Sequence, residues 1–129
     1  MSLFFNILTL IIAVLVGYLY WLGLEGHLFW VYWWYDIPMH MLAGLVVGLW
    51  GSALASRRDV KPYQALIFVL LTAFAIGVMW EIFEVSVGIT RGEPGYWADT
   101  IKDLVDDCLG AAAAVLLYWN LYRKNINNG

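Results

Sequence analysis

Charge is scarce in this chain. Only 13% of its 129 residues are Asp, Glu, Lys or Arg, about half the share usual in a soluble domain. Cysteine is nearly absent. Cys108 stands alone, so no intramolecular disulfide can form, and its apolar setting reads as inert packing. Basic residues are few, and the net charge is −3. That excludes nucleic acid as a partner, since phosphate binding needs grouped Lys and Arg. The opening MSLFFN has no basic stretch, and the apolar run behind it is too long for a leader's hydrophobic core, so no cleaved signal peptide is expected. There is no internal repeat and no low-complexity linker, and the length suits a single integral membrane domain over 1–129.

What the chain has is apolar length. Hydrophobic residues make up 63%, aromatics 17%, and the mean hydropathy is +0.73. A spanning helix needs about 20 mostly apolar residues. Four windows meet that, at roughly 3–24, 36–55, 63–87 and 99–122. Backbone groups in lipid must be satisfied within each segment, so the expected fold is an all-α membrane protein, a bundle of four transmembrane helices. Arg57, Arg58 and Lys61 lie between the second and third spans, and Arg123 and Lys124 follow the fourth, whereas the other side carries only Arg91 and Lys102. The positive-inside rule then puts both termini in the cytoplasm and the first and third loops outside. The aromatic run FWVYWWY (Phe29 to Tyr35), with Tyr96 and Trp97, falls at the outer surface and reads as an interfacial belt in contact with membrane lipids.

The polar residues converge at one depth. The second span opens DIPMH, placing Asp36 and His40 at i, i+4 on one face. The third ends WEIFE, with Glu81 and Glu84 at i, i+3. The fourth opens with Asp99, Asp103, Asp106 and Asp107. Helix direction alternates, so all three groups lie within about three turns of the outer surface, at a rise of 1.5 Å per residue. Gly44, Gly48, Gly77 and Gly110 are small residues of the kind that let membrane helices approach closely.

Some of these acids have ordinary explanations. Asp99 reads as an N-cap, accepting the free N–H groups of the first turn. Asp36, before Pro38, reads as a helix start and as a residue that orients His40. Lys102 can pair with Asp106 at i, i+4 or extend outward. Glu81 and Glu84 are harder to explain, because they sit at a helix C-terminus, where the dipole is also negative. A charged side chain inside a membrane costs about 2.5–3.5 kcal/mol on the insertion scale. Arg91 and Lys102 cannot balance so many carboxylates. Shared protons or a bound cation remain, and the cation is favoured. The expected metal ligands are Glu81, Glu84, Asp103, Asp106, Asp107 and His40. An oxygen-rich set with one imidazole suits a divalent Mg²⁺, Mn²⁺ or Ca²⁺ better than Zn²⁺.

The order D-x-x-x-H…G, then E-x-x-E, then W-x-D-T-x-x-D-x-x-x-D-x-x-G resembles the YjdF-like family of small bacterial inner-membrane proteins and, more distantly, VanZ-like proteins. The matches are Asp36, His40 and Gly44, then Glu81, then Trp97, Asp99, Thr100, Asp103, Asp107 and Gly110, over roughly residues 36 to 115. This chain is shorter than those relatives, and Glu84 and Asp106 fall outside the pattern. The resemblance implies a bacterial inner-membrane location and a shared polar site, without a named reaction.

Three functions fit these residues. The first is a metal-dependent hydrolase or transferase acting on a lipid-linked phosphate or headgroup, its acidic site facing the periplasm or exterior. There the ion would be the Lewis acid, His40 oriented by Asp36 the general base or acid, and Arg91 a phosphate holder. The second is a non-enzymatic subunit of a larger membrane complex or homo-oligomer. The third is proton or cation conduction. Against it, the inner halves LVVGLWGSALA and AAAAVLLYWNLY contain no ionisable pathway.

Overall fold

Apolar segments of this length have one stable outcome in lipid, the helix, and the computed structural model of the chain is built from helices alone among the residues it describes, 1–88 and 95–127. The elements are α1 (Ser2–Glu25), α2 (Leu28–Val31), α3 (Asp36–Arg57), α4 (Pro62–Val87) and α5 (Tyr96–Asn127). The helices α1, α3, α4 and α5 are each long and apolar enough to cross a membrane. At 1.5 Å per residue, the 32 residues of α5 exceed a hydrocarbon core of about 30 Å, so its polar ends reach past the core.

Local chemistry sets the boundaries. Pro62 opens α4, where its missing N–H costs nothing, and Gly88 closes it at φ +80°, a left-handed position suited to glycine. Between α1 and α3 the chain turns at His27, φ +54°, into the single turn α2, which carries part of the aromatic run. The helix α5 begins at Tyr96. Asp99 is therefore inside its first turn and not at the cap, which corrects the capping role expected from sequence.

Consecutive long helices run antiparallel. At one end Phe5 of α1 packs edge-on against Tyr118 of α5, ring centroids 6.0 Å apart. The Tyr118 hydroxyl donates to the Val60 carbonyl in the α3–α4 turn at 2.6 Å. At the other end the Tyr35 hydroxyl donates to Leu19 O of α1 at 2.7 Å, and Tyr20 meets Trp80 of α4 edge-on at 5.9 Å. Arg57, Arg58, Lys61, Arg123 and Lys124 belong to the Tyr118 end; Asp36, Glu81, Glu84, Asp99, Asp103, Asp106 and Asp107 belong to the other.

The α3–α5 pair is the centre of the bundle, with α1 against α3 and α4 against both α3 and α5. The partners approach so closely because small residues face each other. A methyl on Gly44 would collide with the Asp107 backbone, and one on Gly110 with the Met41 carbonyl. Below this contact the core is Leu49, Ala53, Val69, Ala111, Ala114 and Val115, fully or almost fully buried. The outward faces of α1 and α4, with Ile7, Leu10, Val14, Leu71 and Met79 exposed, are suited to lipid.

Candidate functional site

Helix phase selects the residues of the site. Asp36 and His40 are one turn apart on α3 and face the stripe of α5 that carries Asp103 and Asp107. Asp107 is placed by two glycines. Its backbone lies against Gly44 of α3, and its Oδ2 lies over Gly77 of α4, where an added methyl would stand only 2.6 Å away.

His40 is the hub of the cluster. Its Nδ1–H donates to Asp107 Oδ1 at 3.3 Å. A hydrogen bond on one imidazole nitrogen fixes the ring and turns the other nitrogen toward the remaining acids. That other nitrogen, Nε2, stands 3.5 Å from Asp36 Oδ1 and 3.9 Å from Asp103 Oδ2. Asp36, His40 and Asp103 each offer one ligand atom, and these atoms all lie within 4.8 Å of one another. Asp107 is thus on the orienting side of the ring, where Asp36 was expected, and Asp36 is on the open side.

Lys102 closes the cluster from outside. Its Nζ donates to Asp103 Oδ1 at 2.5 Å and to Asp36 Oδ2 at 3.4 Å, and pairs with Asp99 Oδ1 at 3.3 Å. Each of Asp36 and Asp103 therefore turns one oxygen to His40 and the other to Lys102. The sequence had offered Asp106 or the exterior as the end point of Lys102; its partners are instead Asp36 on another helix and the neighbouring aspartates. Side-chain exposure is 11% at His40, 6% at Asp103 and 8% at Asp107, against 30% at Asp36 and 33% at Lys102, so the cluster opens on the lysine side.

The acids of α4 have other partners. Glu81 is buried and accepts from the Thr100 hydroxyl of α5 at 2.7 Å. Glu84 accepts from the indole Nε1–H of Trp80, one turn earlier, at 2.9 Å. Asp106 is buried, and its Oδ2 has no hydrogen-bond partner among the described residues. Arg91 lies outside the described residues. Sequence reasoning had not singled out Thr100 or Trp80 as partners. The signals were present, since Thr100 shares the α5 stripe of Asp103 and Asp107 at i, i+3 and i+7, and Trp80 precedes Glu84 by four.

The arrangement is a carboxylate–imidazole–carboxylate cluster on the α3–α5 seam, near one end of a four-helix membrane bundle. Oxygen donors with a single oriented imidazole can hold a divalent ion; of the other acids, Glu81 and Glu84 accept hydrogen bonds and Asp99 pairs with Lys102. No curated protein and no solved structure matches the chain. A family described as "Predicted membrane protein (DUF2238)" matches residues 2–125, nearly the whole length, and the chain belongs to that family of membrane proteins.

Proposed function

We propose that this protein is a bacterial inner-membrane protein that binds a divalent cation through Asp36, His40 and Asp103 and acts as a hydrolase or transferase on lipid-linked phosphate at the outer leaflet. One observation carries the reading. Three ligand atoms from two helices converge within 4.8 Å, while the second nitrogen of the histidine is held by Asp107. Ligands at right angles around an ion with bonds of about 2.1–2.4 Å stand about 3.0–3.4 Å apart. The spacings of 3.5 and 3.9 Å at His40 Nε2 need only a small contraction to reach that. The set of two carboxylates and one imidazole favours Mn²⁺ or Mg²⁺.

Depth and charge support the rest. His40 is four residues into α3, about 6 Å along its axis, which is headgroup depth. The cluster lies opposite the end that carries Arg57, Arg58, Lys61, Arg123 and Lys124. By the positive-inside rule that basic end is cytoplasmic, so both termini are inside and the site faces out. Three protein ligands leave coordination positions for water and for a phosphate oxygen. A bound ion would supply a Lewis acid to that oxygen. The core beneath the cluster, with Leu49, Ala53, Ala111, Ala114 and Val115, holds no carboxylate, histidine, lysine or arginine among the described residues to relay ions inward. That favours a site open to one surface over a conduction path.

The test uses full-length protein in lipid nanodiscs, Mn²⁺ as the ion and phosphatidate in vesicles as the phosphate probe. The wild type is expected to hold one Mn²⁺ per chain, Asp103→Asn to hold none, and phosphate turnover to stop with EDTA and return with Mn²⁺. Metal-free protein whose turnover ignores EDTA would overturn the reading.

A further inference from the structure

We propose that Lys102 is a tethered counter-cation of the cluster, gripping the oxygens of Asp36 and Asp103 that face away from His40 and thereby setting how tightly the opposite oxygens hold a divalent ion. The inference rests on the metal reading above and adds a determinant of affinity to it.

The two carboxylates are shared in the same sense. Asp36 gives Oδ1 to His40 and Oδ2 to Lys102, and Asp103 gives Oδ2 to His40 and Oδ1 to Lys102. The third contact, Asp99 Oδ1 at 3.3 Å, comes from one turn earlier on α5 and holds the ammonium at the mouth. Among the described residues, Lys102 is the one lysine or arginine paired with these carboxylates. With His40 it ties Asp36 of α3 to Asp103 of α5, the histidine on one pair of oxygens and the ammonium on the other. Without an ion, the ammonium compensates charges that would otherwise repel across the seam. With one, the ammonium and the ion pull on opposite oxygens of the same two groups.

The size of the effect follows from distance. An ammonium on the far side of a carboxylate stands about 5 Å from an ion on the near side. At that separation like-charge repulsion weakens binding by about tenfold even at the dielectric of water. Removing the charge therefore has two opposite consequences: tighter metal, and a less stable metal-free protein. An arginine keeps the charge and both consequences stay away.

The experiment compares wild type, Lys102→Met, Lys102→Gln and Lys102→Arg as full-length chains in nanodiscs. Mn²⁺ affinity is read by electron paramagnetic resonance, and thermal midpoints are read with and without Mn²⁺. The expected result for K102M and K102Q is a Kd for Mn²⁺ lower by about tenfold, a lower metal-free midpoint, and recovery of that midpoint on adding Mn²⁺. K102R is expected to behave as wild type. An unchanged or weaker affinity in both neutral variants overturns the tuning. A metal-free midpoint equal to wild type overturns the counter-cation. Failure of every protein to take up Mn²⁺ overturns the metal reading and the tuning together, and the metal-free midpoints still judge the counter-cation on their own.

Discussion

Replacing Gly44 with alanine adds one methyl at the closest approach of α3 and α5. That carbon would stand 2.6 Å from the Asp107 carbonyl carbon and 2.8 Å from its Cα. Carbon atoms rest at about 3.5–4.0 Å, so the helices must part by about 1 Å. The obstacle is backbone and has no rotamer to escape into. Overpacking costs about 1–3 kcal/mol, and a backbone clash belongs in the upper half of that range. Alanine regains up to about 1 kcal/mol of helix propensity over glycine. Gly17→Ala measures that gain alone, because nothing lies within 4 Å of the position. Parting the helices also lengthens the 3.3 Å His40–Asp107 bond past the limit of about 3.6 Å beyond which no hydrogen bond remains. Unfolding in detergent, with a parallel Mn²⁺ titration, is the assay. G44A is expected to lose stability and metal affinity together, and G17A to gain a little stability and keep its affinity. A G44A protein as stable as wild type, with full affinity, would refute the claim that glycine packing assembles the site.

Two further outcomes follow from the hydrogen bonds. Thr100→Val leaves the buried Glu81 Oε2 without its 2.7 Å donor and is expected to cost about 1–3 kcal/mol, checked by the same unfolding assay; adding Glu81→Gln should recover part of it. Asp107→Asn keeps the shape of the orienting residue but removes its charge, and should weaken Mn²⁺ binding by about tenfold or more with little change in helix content by circular dichroism.

The four long helices were legible because apolar runs of this length have one outcome in lipid. Their ends were less so. The segments Tyr96–Ala98 and Arg123–Asn127 extend α5 beyond its apolar window, where hydropathy carries no signal. The single turn α2 hides inside the aromatic run, since four residues cannot establish a period. Within the site, Asp36 with His40 and Asp103 with Asp107 were legible because each pair shares one helix face. What crosses between helices was not. A count of acids against two bases suggested a large uncompensated charge, yet Thr100 serves Glu81, Trp80 serves Glu84, and Lys102 reaches Asp36 as well as Asp99 and Asp103. Spacing along one chain also does not specify which carboxylate meets which imidazole nitrogen. That depends on helix phase, set by the Gly44–Asp107 and Gly77–Asp107 contacts.

The central claim is that Asp36, His40 and Asp103 hold a divalent ion. Crystals of the full chain grown with Mn²⁺ test it through the anomalous scattering of the metal. The account predicts a single strong peak about 2.1–2.4 Å from His40 Nε2 and from one oxygen each of Asp36 and Asp103, with Asp107 still on His40 Nδ1. A map with no peak there, or with the peak held by Glu81 and Glu84, would contradict it.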